Sequence, residues 1–370
     1  MLITLKNDTQ QFNDKQVYFA VYGYDQDPAL YPAARWIYLT ADGTFEDCEV
    51  GDDTAALYLH TIESLPMFQL QQQLWSGQIL FCYGRKPRTF NVISDGLGRP
   101  TLQLPSMDSQ AADADSLFNT LELTLDSSGT AWCNNTNVDA FVGPMITELI
   151  GAQSQSRGAM LPGVTRSSIF EAFENTLTFD KLVWTAPDGT LVRVYNPTMA
   201  TTETTSLLPD DYFDEAVRAC IATMSPSILA YNGKAYRCSF AGSVLVISLE
   251  GTEVARRDFA ALLGNAHEIF GCGNAVFDGS GIDGAGADID PVLTSALNRG
   301  LLPSNSLLPS CGVAVPYDGS MPSNVYAQLL HEFFEDGQVY AFPFDDVCGA
   351  SSELADSAPE VLAVTLGEWT

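Results

Sequence analysis

Glu122 and Asp139 are the two residues from which a reaction can be built. Glu122 lies in the run Leu121-Glu122-Leu123-Thr124-Leu125-Asp126, which alternates strictly. A strand there puts Leu121, Leu123 and Leu125 on one face and Glu122, Thr124 and Asp126 on the other. Ser127-Ser128-Gly129 follows, and Gly129 can take the positive φ that turns a hairpin. The return strand carries Trp132, Asn134 and Thr136 at alternate positions, with Asp139 beyond a bulge or strand end. This combination suits a sugar: an aromatic face for the ring, hydrogen-bonding groups for its hydroxyls, and two acids for a glycosidic bond. The same alternation occurs on any half-exposed antiparallel sheet, and most surface carboxylates do no chemistry, so the hairpin alone does not establish a site.

Composition narrows what such a site can act on. The 370 residues suffice for two domains or one large one, and a hydrophobic content of 46% supplies their cores. No apolar run reaches the roughly 18 residues of a membrane span. Lys and Arg number 17 against 46 Asp and Glu, a formal charge of -29. That surface repels nucleic acid and anionic lipid, which excludes both as main partners and leaves a neutral polymer such as a glucan compatible.

Other chemistries find little support. The eight cysteines include no Cys-x-x-Cys pair, and His60, His267 and His331 are isolated, so no metal site of the zinc type is expected. Their even number permits disulfides without fixing a connectivity. The glycines of Gly271-Cys272-Gly273 and from Gly279 to Gly286 lack the Gly-Lys-Ser/Thr ending of a phosphate loop and read as a connection. Asp278, Asp283, Asp288 and Asp290 in and near it do not have EF-hand spacing, which leaves only calcium in another geometry open. No Gly-x-Ser-x-Gly elbow occurs, which weighs against a serine hydrolase of the α/β type. His331, beside Leu329, Leu330, Phe333 and Phe334, reads as a packing histidine. No cofactor is called for. The start, Met1-Leu2-Ile3-Thr4-Leu5-Lys6-Asn7, lacks the basic and apolar regions of a signal peptide, so the protein is either cytoplasmic or one whose signal peptide has been removed.

The elements that must position the two acids follow from turn residues and periodicity. Short strands are expected at Val17 to Tyr22, Trp36 to Leu39, Ile79 to Tyr83, Phe90 to Ile93 and Leu102 to Leu104, the spacing of a β-barrel or sandwich. After Phe141 the pattern mixes α and β. A Ser-x-x-Glu box from Ser168 to Glu171 starts a helix, and Pro187-Asp188-Gly189 turns a hairpin between Leu182 to Trp184 and Leu191 to Val194. Pro209-Asp210-Asp211 opens a helix with Phe213, Val217, Ile221 and Met224 on its apolar side. Further helices are expected from Arg256 to Phe270, Pro291 to Leu301 and Asn324 to Glu335, ended by Gly337, with strands at Ala235 to Phe240 and Val244 to Leu249. Val339 to Val347 and Val361 to Leu366 return to strand character. The expected division is therefore a discontinuous β domain, 1–145 plus 338–370, around a mixed α/β domain, 146–337.

Several of these blocks resemble glycoside hydrolase family 64, the β-1,3-glucanases of the thaumatin-like superfamily. They are Glu122-Leu123-Thr124, Trp132, Asn134-Asn135-Thr136 and Val138-Asp139, then Ala296-Leu297-Asn298-Arg299-Gly300, Asn324-Val325-Tyr326-Ala327, Leu330-His331-Glu332 and Tyr340-Ala341-Phe342-Pro343-Phe344-Asp345-Asp346-Val347. Their order is similar to the family's and, with Tyr18 to Tyr22, Ala41-Asp42-Gly43 and Ser76-Gly77, covers nearly the whole chain. The resemblance implies a mainly β fold, with a thaumatin-like β-barrel or sandwich packed beside a mixed α/β domain and a wide groove between them. It implies inverting endo-hydrolysis of β-1,3-glucan, often releasing a pentasaccharide, by a secreted protein expected to be a monomer. Glu122 would be the general acid and Asp139 the general base, with carboxyls about 6.5–9.5 Å apart. Thr124, Asp126, Trp132, Asn134 and Thr136 would bind substrate, and Asp345 and Asp346 would add to an acidic cleft. Asp126 departs from the amide expected at its position. The rival reading is a thaumatin-like protein that binds β-1,3-glucan without cutting it.

Overall fold

The computed structural model describes residues 1–369 apart from 53–57, 109, 200, 203–204, 224–226, 232–233, 274–275, 304–315 and 348. Met224, Cys311 and Cys348 lie outside the described residues. The chain begins with β1 (Leu2–Asn7), β2 (Val17–Tyr24), β3 (Trp36–Leu39), β4 (Phe45–Asp47), β5 (His60–Thr61), β6 (Met67–Gln69) and β7 (Leu74–Tyr83). A small hairpin, β8 (Asn91–Ser94) and β9 (Pro100–Gln103), precedes β10 (Leu117–Leu125), β11 (Ala131–Asn135), β12 (Ala140–Phe141), β13 (Met145–Ile150) and β14 (Ser154–Arg157). Next come α1 (Arg166–Glu174), β15 (Val183–Thr185), β16 (Leu191–Tyr195), β17 (Thr201–Thr202), β18 (Thr205–Ser206) and α2 (Asp214–Thr223). A meander of β19 (Ser227–Tyr231), β20 (Lys234–Ala241), β21 (Val244–Leu249) and β22 (Thr252–Asp258) leads into α3 (Ala266–Phe270), α4 (Ala285–Asn298) and α5 (Val325–Phe333). β23 (Leu354–Asp356) and β24 (Val361–Leu366) close the chain.

Two sheets make a sandwich. One has the order β14-β13-β24-β1-β6; the other runs β23-β11-β10-β7-β2-β3-β4, with β5 beside β2. Each strand alternates, so Phe19, Val21, Ile79, Phe81, Leu121 and Leu123 of the second sheet meet Ile3, Leu5, Phe68, Leu149, Leu362 and Val364 of the first in one core. Of the two expected forms, barrel or sandwich, the described strands make the open sandwich: among them no pairing joins β23 to β4 to close a barrel. The outer face of the larger sheet is covered at one end by the β8–β9 hairpin and the residue before it, Val92 and Phe90 packing with Ala20, Leu80 and Phe118. Beyond that cover the outer face is available to a ligand.

A second body of α and β elements has its own core, which includes Phe141, Phe170, Val194, Phe270, Leu293 and Tyr326. The division expected between residues 145 and 146 is displaced. β13 pairs with β24 and β14 with β13, and Met145 and Leu149 belong to the sandwich core, so the chain re-enters the sandwich through Arg157. Val339 to Val347 is not a strand: Val339, Ala341, Phe342 and Val347 join the second core, and the chain turns at Pro343 and at Phe344, whose φ is 65°. Proline cannot donate to a ladder, which forbids the expected strand there.

Two helix expectations also shift. The cap of α1 is Thr165, which exchanges hydrogen bonds with Ser168. Arg256 and Arg257 end β22 rather than begin a helix, because Arg257 is buried against Asp290 of α4, with Nε to Oδ1 at 2.7 Å. A 3-10 turn at Phe259–Leu262 and the short α3 complete that segment. Asp288 likewise accepts from Lys234 and Tyr236, so these aspartates brace α4 against the meander. Cys48, Cys82, Cys133, Cys220, Cys238 and Cys272 are free and buried.

Candidate active site

The hairpin forms as its residues dictate. β10 pairs with β11, Gly129 takes φ 83° in the turn, and Glu122 stands opposite Asn134 while Thr124 stands opposite Trp132. On its other side Glu122 is opposite Gln78 of β7, which is opposite Tyr22 of β2. A polar row therefore crosses four strands on the outer face. Its members bond in pairs: the Tyr22 hydroxyl donates to Gln78 Oε1 at 2.8 Å, and Asn134 Nδ2 donates to Glu122 Oε2 at 2.8 Å.

Two openings meet at Glu122. One, of about 460 Å³, is lined by Glu122, Asp139, Thr136, Gln78, Tyr340 and Met199 among others, so both bodies of the chain border it. The other, of about 360 Å³, is lined by Glu122, Gln78, Thr124, Trp132, Asn134 and Glu353. Glu122 and Gln78 belong to both, which places the carboxyl at the middle of a continuous run of floor rather than at a closed end. Trp132, 36% exposed, offers its indole to the second opening.

Burial pushes the Glu122 carboxyl above its ordinary range; the Asn134 hydrogen bond pulls the other way, and the charge of Asp139 adds to the rise. Asp139 is also raised, by the protein crowded around its carboxyl, although its side chain remains open to solvent. Its segment is fastened by backbone carbonyls: Tyr326 donates to Asn137 O at 2.7 Å, Asn196 N–H to Asp139 O at 2.8 Å, and Asn137 N–H to Tyr340 O at 2.8 Å. An acid on the sheet and a second acid on a clamped loop thus face one opening.

Not every expected residue joins them. Thr124, Trp132, Asn134 and Thr136 line the openings. Asp126 closes the hairpin turn instead, its Oδ1 accepting from the Ser128 and Thr130 N–H groups at 2.8 and 2.9 Å. Asp345 is fully buried, accepting from Arg299 Nη2 at 2.9 Å and from the Ala341 N–H at 3.0 Å, with His331 Nε2 at 3.0 Å. The cleft role expected of it is replaced by a structural one: it holds the turn from Ala341 to Val347, and His331 packs and bonds as expected. Burial is the largest influence on the His331 pKa and lowers it, but the Asp345 charge and the hydrogen bonds to Asp345 and to the Gly337 carbonyl together leave it raised. Asp346 is exposed, and its charge helps raise Glu353 after burial has done so.

Gln78, Tyr340 and Glu353 were not foreseen as site residues. Gln78 has a signal, a lone amide in the otherwise apolar run Ile79 to Tyr83 and its approach. Glu353 has none, because only the pairing of β23 with β11 carries it beside Asn134.

The profile of a family described as beta-1,3-glucanase, glycoside hydrolase family 64, matches residues 1–366. Two curated relatives, the glucan endo-1,3-beta-glucosidases of Cellulosimicrobium cellulans and of Arthrobacter sp. (strain YCWD3), are each 29% identical over 80% of this chain. The matches cover 53% of either relative, so the chain spans about half their length. Among solved structures, a laminaripentaose-producing β-1,3-glucanase in complex with laminaritetraose superposes with a TM-score of 0.79 at 22% identity, covering 100% of this chain and 99% of that one. A β-1,3-glucanase domain from Clostridium beijerinckii gives 0.80 at 19% identity, covering 99% and 98%. These likenesses establish the mainly β fold.

Proposed function

The chain belongs to glycoside hydrolase family 64, and from that premise we propose that it is an endo-β-1,3-glucanase that cleaves its substrate with inversion at the anomeric carbon. The observation that carries the reading is the pair Glu122 and Asp139 facing one opening with raised pKa values, Glu122 raised by burial and also by the charge of Asp139. A general acid must be protonated at working pH, and a raised carboxyl pKa keeps it so. Glu122 protonates the glycosidic oxygen as the bond to the anomeric carbon breaks. Asp139 takes a proton from the water that attacks the opposite face, and the new hydroxyl is axial where the old bond was equatorial.

The remaining groups serve binding. Trp132 supplies an apolar face for a pyranose, and Thr124 and Thr136 supply hydroxyls on either side of Glu122. Asn134 has a buried Oδ1 with no partner among the described residues while its Nδ2 holds Glu122, which leaves the oxygen to accept from a sugar hydroxyl. The sandwich is the thaumatin-like part of this reading, and the groove between it and the second body takes the glucan. The curated relatives are glucan endo-1,3-beta-glucosidases and one structural neighbour was seen with laminaritetraose, which supports β-1,3-glucan as the substrate class and oligosaccharides such as laminaripentaose as products. Action outside the cell, as a monomer, rests on the family resemblance. Incubation with linear β-1,3-glucan tests the reading: the protein releases oligosaccharides and Glu122→Gln does not, whereas equal release by both would reject the assignment.

A further inference from the structure

β7 contains a one-residue bulge. Leu123 is opposite Gly77 but Leu125 is opposite Leu74, and Ser76 between them adopts φ 45°. Gly77 has no room for a side chain there, since a Cβ would lie 2.5 Å from the Leu123 carbonyl oxygen. The extra residue resets the alternation, so Trp75 stands opposite Tyr24 on the face of Gln78 and Glu122 while Leu74 fills the sandwich core. A regular strand would have turned this indole inward.

Trp75 has aromatic neighbours. Tyr24 is opposite Trp36 of β3, their ring centroids 4.1 Å apart, and Trp36 lies 6.3 Å from the ring of Tyr22, which lines the larger opening. Tyr24, Trp36 and Trp75 are each only partly buried, and among the described residues neither Tyr24 nor Trp75 packs into any of the three cores. The Trp75 indole N–H is held by Gln73 Oε1 at 3.0 Å. Arg35, next to Trp36, is paired with Asp25, at 2.8 Å, and with Asp47, so it offers the patch no free positive charge. Three strand spacings, roughly 14 Å, separate β10 from β3, and the rings form the row next to that of Tyr22, Gln78 and Glu122, on the side of Thr124.

We propose that Tyr24, Trp36 and Trp75 form an aromatic platform that continues the cleft floor and seats further glucosyl units of a β-1,3-glucan chain on one side of Glu122. The proposal rests on the function proposed above, and the position of the rings beside Tyr22, Ser76 and Gly77, which line the Glu122 openings, selects the occupant: a neutral chain of pyranoses crossing the strands, whose axial C–H faces match the ring faces. Chain length, rather than the bond cleaved, is what this platform reads.

Calorimetric titration of the Glu122→Gln protein with laminarioligosaccharides of increasing length, with and without Trp75→Ala, tests it. The parent tightens with length, and Trp75→Ala lowers the ratio of long-chain to short-chain affinity by about tenfold, the worth of one stacked ring. Trp75→Phe restores most of that ratio. An unchanged ratio, or an equal loss at every length, overturns the platform, and the unaltered melting temperature of Trp75→Phe guards against a folding effect. The hydrolysis assay on the unmodified protein reports separately on the proposed function: binding that keeps its Trp75-dependent ratio while no sugar is released would reject the activity and leave the platform standing.

Discussion

Asn134 Nδ2 donates to Glu122 Oε2 at 2.8 Å directly across the hairpin. The bond occupies one carboxyl oxygen and assigns the transferable proton to the other. It also sets a brake, because a donor favours the charged form and so opposes the rise caused by burial.

Removing that donor moves a pH limb. Asn134→Ala raises the Glu122 pKa further, so the alkaline limb of kcat/KM, where the acid loses its proton, shifts to higher pH. A purely structural asparagine would lower the melting temperature and leave the limb in place. The pH profile of kcat/KM separates the two.

Glu122→Gln lowers kcat on β-1,3-glucan by about 10²–10⁴-fold, the usual contribution of a general acid. The same change has an opposite effect on stability. A carboxyl whose folded pKa is raised contributes stability that is complete below its unfolded value and is lost as pH rises through the folded value. Glutamine never ionises, so the variant keeps what the parent loses. It therefore melts higher than the parent near neutrality, and the gap closes in acid below the unfolded glutamate range. Melting curves at the two pH values check this.

Asp345 and its neighbour Asp346 predict a contrast. Asp345→Ala strips Arg299 and His331 of their buried carboxylate and costs about 3–5 kcal/mol of stability. Asp346→Asn, at an exposed carboxyl, changes it by less than about 0.5 kcal/mol. Chemical denaturation of the two variants measures both.

What the sequence revealed of this site is what strand alternation can encode. Glu122, Thr124, Trp132 and Asn134 declare a common face by period two and a short turn, and the hairpin forms as read. Asp345 and Asp126 were misplaced for a common reason, since an aspartate that satisfies buried cations or turn amides has the same local appearance as one facing a ligand. Glu353 and Tyr340 reach the site through contacts with partners some 200 residues earlier, which no local pattern carries. The bulge that turns Trp75 outward depends on a single left-handed Ser76, a residue type with no strong preference for that conformation. The sandwich and the mixed body were legible as textures, whereas their seam was not, because β13 and β14 return to a sheet built mostly from the two chain ends.

The most direct test of inversion by Glu122 and Asp139 is the anomer of the new reducing end, read by NMR during the first moments of β-1,3-glucan hydrolysis, before mutarotation. The account predicts that the α-anomer appears first and the β-anomer grows in behind it. A β-anomer released first would mean retention of configuration, and would contradict the assignment of these two carboxyls as acid and base.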